Sequence, residues 1–389
     1  MLNVPVPGIK SAKMMHDFGV SSTHTIIMDL PLSLDPLNLA QNKPVVAYDP
    51  TGRSRFGIFP RYQPQEVRWF ETKPCCIFHT ANSWTSMDSR ATTGSRGLKM
   101  VNMLACRLTS ASLVFSAGDI AAPQPIHDIP AEQQEEDQCR LYYYQFRWSP
   151  ISVGDVHVNS NNNNTIAHQW ALSAITFEFP SLRDSASMSA AKYIYGCSVS
   201  GGSFGTALGR AVKINTLVKM DVETLIERGF RDPPMQITGC VDTRIMDEVL
   251  ASTDPEDPIK VFKMPEGWYA QESRFVPRAA AVKEDDGWIL SYVFDESQLG
   301  DDGECILGAR SELWVIDAIN MTDIVARIQL PQRVPYGLHG NWFSEEDIKG
   351  QRPVSGIRTL PAMHGKGQDS SPASRVLMAT RRMIERWLR

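Results

Sequence analysis

A surplus of basic charge is missing: 39 Lys and Arg stand against 44 Asp and Glu, a net charge of −5. A nucleic-acid partner, which needs a positive face, is therefore not expected. No apolar run approaches the ~18 residues of a membrane span. The opening Met1-Leu2-Asn3-Val4-Pro5-Val6-Pro7 has neither a cationic start nor an apolar stretch, and does not read as a signal peptide. The seven cysteines form no CxxC pair, which argues against a thiolate zinc site. Their odd number and irregular spacing fit reduced thiols in a cytoplasmic protein. Strict internal repeats are missing too.

What is present is β structure. At 42% hydrophobic residues the 389-residue chain has enough apolar material for a real core. Its length exceeds the usual single domain, although all-β folds run long as one. Residues 23–30 are rich in β-branched side chains and read as a strand stopped by Pro31 and Pro36. Residues 44–49 and 54–60 read as a strand pair about the turn at Pro50-Thr51-Gly52. Residues 67–70, 98–108, 141–148 and 166–179 follow as extended runs. Residues 119–138, Pro-rich and acidic, read as an exposed insertion, and Asn159 to Asn164 as a polar loop tip. Residues 275–282, 288–295, 311–317 and 324–331, separated by Asp/Gly turns, form a β-meander. Successive groups of this kind suggest a propeller, while periodicity alone leaves sandwich and barrel open.

Two stretches read as helix. One is residues 222–229, with Gly229 as its C-cap. The other is the tail from Pro372 to Arg389, amphipathic and carrying five arginines. Such a helix either touches a membrane surface peripherally or docks on the body of the protein.

Three histidines sit in apolar or aromatic settings far apart in sequence: His16 before Asp17-Phe18, His79 after Ile77-Phe78, and His339 in Tyr336-Gly337-Leu338-His339. Neutral imidazole is the commonest metal ligand, so convergence of the three on one ion is the question they raise. A ligating imidazole needs a partner for its other nitrogen, usually a carboxylate. Two glutamates lie in apolar surroundings: Glu178 between Phe177 and Phe179, and Glu272 ahead of Phe275-Val276. Taken singly, each of these residues is weak evidence.

Together they carry a resemblance. The stretches HDFGVSSTHTIIMDLPLSLDP, CCIFHTANSWTS, TFEFPSL, ESRFVPR and VPYGLHGNW are colinear from residue 14 to about residue 345. They resemble the signatures of the carotenoid cleavage dioxygenase family. HTIIMDLPLSLDPLN and SRFGIFPRY look most like its fungal, torulene-cleaving members.

The resemblance implies an all-β fold, a seven-bladed β-propeller, over residues 1–350, with residues 351–389 as a tail bearing the C-terminal helix. It implies Fe(2+) held on the axis by four histidines, three of which lean on glutamates. His16, His79 and His339 match the second, third and fourth ligands. Glu178 matches the support of His79, and Glu272 that of His339. The first ligand, and the glutamate supporting the second, lie upstream of the HDF motif in the family, and only fifteen residues precede His16. The expectation is an N-terminal truncation, with the first blade or two missing. His24, His127, His157, His168 and His364 lack the family's context, and Trp84-Thr85-Ser86 lacks the acidic residue of many relatives. The implied reaction is cleavage of a conjugated C=C bond by O2, giving two carbonyl fragments, with an apolar polyene as substrate. Phe18, Phe78, Trp84, Tyr336 and Trp342 are candidate pocket residues. A stilbene-cleaving oxygenase and an inactive truncated chain are the alternatives.

Overall fold

A computed structural model describes residues 4–10, 13–34, 37–38, 45–87, 99–109, 111, 139–148, 164–200, 213–337 and 339–352. The chain divides into two compact units, Met1–Trp342 and Phe343–Arg389.

Among the described residues, the first unit holds four main sheets, antiparallel apart from one pairing in sheet two, that follow one another along the chain. Sheet one has β1 (Gly19–Val20) and β2 (His24–Asp29). A side ribbon of β3 (Leu32–Leu34) and β4 (Val46–Tyr48) precedes its return through β5 (Ser54–Pro60) and β6 (Arg68–Thr72). Its order is β1-β2-β5-β6. Sheet two runs β7 (Cys76–Met87), β8 (Lys99–Leu108), β9 (Cys139–Trp148) and β10 (Thr165–Ser173). Sheet three opens with β11 (Glu178–Ser181), β12 (Tyr193–Ser198) and β13 (Thr216–Asp221). Helix α1 (Val222–Arg231) leads to β14 (Cys240–Asp242), which pairs in parallel with β10 and so joins sheet two. After α2 (Met246–Leu250), β15 (Ile259–Lys263) completes sheet three. Sheet four holds β16 (Trp268–Ala270), β17 (Arg274–Pro277), β18 (Gly287–Asp295), β19 (Glu312–Asp317) and β20 (Ile324–Gln329).

Successive sheets of four or five strands, each strand pairing mainly with its sequence neighbours, are what the blades of a propeller require. The first strand of each sheet is an edge strand, and β7 touches both β1 and β11. Those inner edges are where segments hundreds of residues apart can meet. One continuous apolar cluster fills the spaces between sheets, with Phe56, Phe70, Tyr144 and Phe146 among its fully buried members. All seven cysteines are unpaired. In the second unit, residues 343–352 are described; α3 (Glu345–Lys349) starts on a Ser344–Asp347 capping box.

Three readings need correction. The turn at residues 49–52 exists, with Gly52 N–H donating to Asp49 O at 3.2 Å. The strands it joins do not pair with each other, however. β4 pairs with β3, and β5 lies between β2 and β6. Nor does Gly229 cap its helix, since α1 runs on to Arg231 and Asp232 is the cap. Glycine is needed there because a Cβ would sit 2.6 Å from Nε1 of Trp170. The reading of 166–179 as one strand also divides: β10 ends at Ser173, and β11 opens the next sheet at Glu178.

The insertion at 119–138, most of the Asn159–Asn164 tract, the tail helix, His127, His157 and His364 lie outside the described residues. Among those described, no helix is long and apolar enough to cross a membrane.

Candidate metal centre

His16 stands just ahead of β1, His79 lies within β7, and His339 follows β20 in the loop after sheet four. Despite sequence separations of 63 and 260, one ring nitrogen from each falls within 4.8 Å of the others. The His16 and His79 rings meet edge to face at 5.3 Å, and His79 and His339 at 4.9 Å.

Glutamates fix two of the three rings. Nδ1 of His79 lies 2.6 Å from Oε2 of Glu178, the first residue of β11. The same oxygen accepts the Phe179 N–H at 2.7 Å. Nδ1 of His339 lies 3.2 Å from Oε2 of Glu272, which also accepts the Gly340 N–H at 2.8 Å. An ionised carboxylate is acceptor only, so each imidazole donates its Nδ1–H and leaves Nε2 as a bare lone pair. Both free lone pairs point inward: Nε2 of His79 and Nε2 of His339 are 3.3 Å apart. Two acceptors at that distance repel unless a cation or a shared proton lies between them. The donor set thus fits a divalent metal, with oriented neutral imidazoles as ligands.

The charges around two of the rings act in opposite directions. Burial pulls the His79 pKa down, but the hydrogen bond and negative charge of Glu178 outweigh it and leave it raised. Burial, then the neighbouring His79 and His339, push His16 down, which favours its neutral form.

The strand carrying His79 is not regular. Its register against β8 slips between Ile77 and Thr80 and again between Thr80 and Asn82, so β7 holds two extra residues there. Bulges of this kind re-aim a side chain next to a site. Phe179, beside Glu178, is a second irregularity. Its φ of 53° is left-handed, a conformation costing a non-glycine residue ~1 kcal/mol or more. Its buried ring lies 5.4 Å from His79 and 5.7 Å from His339, wedged against both.

Of the candidate pocket residues, Phe78 is buried and meets the His16 ring at 5.4 Å. Phe18 and Trp342, neighbours in sequence of His16 and His339, are about half exposed. Trp84 packs on Tyr143, and the Tyr336 hydroxyl bonds Glu296 at 3.1 Å, partners outside the histidine group. His24 is a packed residue against Trp148, and His168 lies between Trp170 and Phe230. Sequence reasoning missed Phe179, Asp17 and Thr80. For Asp17 a signal existed in its position directly after His16; the backbone strain of Phe179 leaves none.

Residues 2–344 match the model of the family described as retinal pigment epithelial membrane protein. Carotenoid dioxygenase carX of Gibberella fujikuroi is 50% identical over 406 residues, covering 95% of this chain and 56% of the relative. The carotenoid 9,10(9',10')-cleavage dioxygenase 1 of Arabidopsis thaliana is 29% identical, over 90% of this chain and 52% of its own length. The chain thus spans about half the length of the curated relatives it matches. Among solved structures, a variant of the Synechocystis apocarotenoid oxygenase superposes with a TM-score of 0.55 at 19% identity, covering 86% of this chain and 54% of that one. The lignostilbene dioxygenase of Pseudomonas brassicacearum gives 0.53 at 20%, covering 84% and 54%. These neighbours share the β-propeller fold seen in the four sheets. The chain belongs to the retinal pigment epithelial membrane protein family, that of the carotenoid oxygenases.

Proposed function

We propose that this chain works as an iron(II)-dependent dioxygenase on a carotenoid, of the torulene type, yielding apocarotenoid aldehydes. His16, His79 and His339 would hold the Fe(2+). Glu178 and Glu272 would keep His79 and His339 in the tautomer that presents Nε2 to it. The observation that carries the reading is the pair of inward-facing Nε2 atoms 3.3 Å apart, each backed by a carboxylate on its other nitrogen. When bound, the ion supplies activation of O2 for addition across a conjugated C=C bond.

The chain's own residues do the rest. Glu178, almost wholly buried, holds the Nδ1 proton of His79 and so prevents that ring from turning a donor inward. Phe78 and Phe179 give the imidazoles an apolar flank that excludes water from one side. Phe18 and Trp342 offer exposed aromatic surface beside two of the ligands, suited to a flat polyene.

The test is product analysis. The purified chain, loaded anaerobically with iron(II), is given a torulene-type polyene in detergent micelles and then O2. The expected result is two carbonyl fragments per polyene consumed, each labelled from 18O2. Cleavage of a phenolic stilbene with the polyene left intact would overturn the substrate. No turnover of either by iron-loaded protein would overturn the activity.

A further inference from the structure

Asp17 follows His16 directly but is not among the residues whose ligand atoms converge. Oδ2 accepts the Thr80 N–H at 2.8 Å and the Thr80 hydroxyl at 2.7 Å, while Oδ1 accepts the Phe18 N–H at 2.7 Å. Thr80 is the residue after His79. Two hydrogen bonds therefore tie the segment bearing one imidazole to the strand bearing another, each end one residue from its histidine, and the third fixes the Asp17 carboxylate on its own segment.

The tie answers a need of the backbone. Thr80 lies between the two register slips of β7, where the ladder to β8 is interrupted. A part-buried N–H outside the ladder needs a partner. Asp17 supplies that partner from outside the sheet. Two residues on, Gly19 lets the segment press closer: a Cβ there would meet Ser83 Oγ at 2.7 Å and Ile26 Cδ1 at 3.1 Å. A carboxylate and a glycine in one short stretch thus bring the His16 segment onto β7 at the point where β7 is bulged to aim His79.

We infer that Asp17 is a positioning residue for the metal centre, a clamp that sets His16 against His79 through Thr80. The inference rests on the three-imidazole reading given above. Asp17 is not one of the three converging ligands; it acts through the two rings it spaces. Asparagine cannot replace it. Turning the amide oxygen to Thr80 aims the NH2 at the Phe18 N–H, donor against donor.

The test uses Co(II) as probe, with the full 389-residue chain. Affinity is read by titration, coordination by the visible ligand-field bands, and folding by thermal melts. Asp17→Asn is expected to bind Co(II) about ten- to a hundredfold more weakly, with shifted bands. Thr80→Val is expected to lose about three- to tenfold, and Thr80→Ser to restore both affinity and spectrum. Wild-type affinity and bands in Asp17→Asn and Thr80→Val, with binding lost in His79→Ala, would overturn the clamp and leave the three-imidazole site standing. Wild-type binding in His79→Ala would overturn that site, and the clamp with it. Failure of both Asp17→Asn and Thr80→Val to fold, or a Thr80→Ser as weak as Thr80→Val, would make the contact a general structural tie and refute positioning.

Discussion

Glu178→Gln is the most informative single change. The carboxylate is 1% exposed, and its Oε2 takes two donors, His79 Nδ1 at 2.6 Å and Phe179 N at 2.7 Å. A hydrogen bond to a charged group contributes ~1.5–3 kcal/mol and one to a neutral group ~0.5–1.5. The substitution therefore weakens each bond by about 1–1.5 kcal/mol. The Phe179 bond exists with or without metal and cancels in a binding measurement. The His79 bond does not cancel, because it sets the basicity of Nε2 toward the ion. The loss expected in metal affinity is thus about tenfold, at the low end of the range for outer carboxylates. A second readout follows from the charge. Glu178 is what raises the His79 pKa against burial, so in the variant that pKa falls. Isothermal titration with Co(II) measures the first and NMR titration of the metal-free ring the second. Affinity within twofold of wild type together with an unmoved His79 pKa would refute the reasoning.

Other outcomes follow from the frame. Gly229→Ala, though favourable to helix propensity, is expected to destabilise by about 1–3 kcal/mol in urea melts, because its Cβ would sit 2.6 Å from the buried Trp170 indole. Lys219 is buried, 2.7 Å from Asp285 and 3.0 Å from Ile319 O. Lys219→Met leaves Asp285 charged without its partner and is expected to cost about 3–5 kcal/mol, while Lys219→Met with Asp285→Leu costs less by denaturant titration. Asp257 gives a pH signature. Burial pushes its carboxyl up, but the fork of Arg244, the Ser252 hydroxyl and the Ile259 N–H hold it down at about 2, against 3.8 in an unfolded chain. Its stabilisation is complete above 3.8 and is lost as pH falls through about 2. With Arg244 about a third exposed, screening trims that contribution to roughly 1 kcal/mol. Acid melts of Asp257→Asn should show a correspondingly flatter fall.

The candidate site was legible in the sequence where its chemistry is local. His16, His79 and His339 stand in apolar settings, Glu178 and Glu272 are carboxylates where carboxylates are costly, and the colinear motifs joined them. What was not legible depends on pairing across the sheets. The Asp49–Gly52 turn signalled a hairpin, yet β4 and β5 find their partners elsewhere, a choice made by the surrounding sheet. The two slips in β7 have no composition signal, and without them the bonds from Asp17 to Thr80 have no visible reason. Phe179 reads as one more core aromatic until its φ of 53° places it against two histidines.

The central claim is that three imidazoles from distant segments hold one ion. Anaerobic iron(II) titration of the full chain and of single His→Ala variants tests it most directly. One site is expected per chain, with binding lost or weakened by at least about a hundredfold in His16→Ala, His79→Ala and His339→Ala. His168→Ala, whose ring packs between Trp170 and Phe230, should bind like wild type. Undiminished iron binding in any two of the three cluster variants would contradict the account.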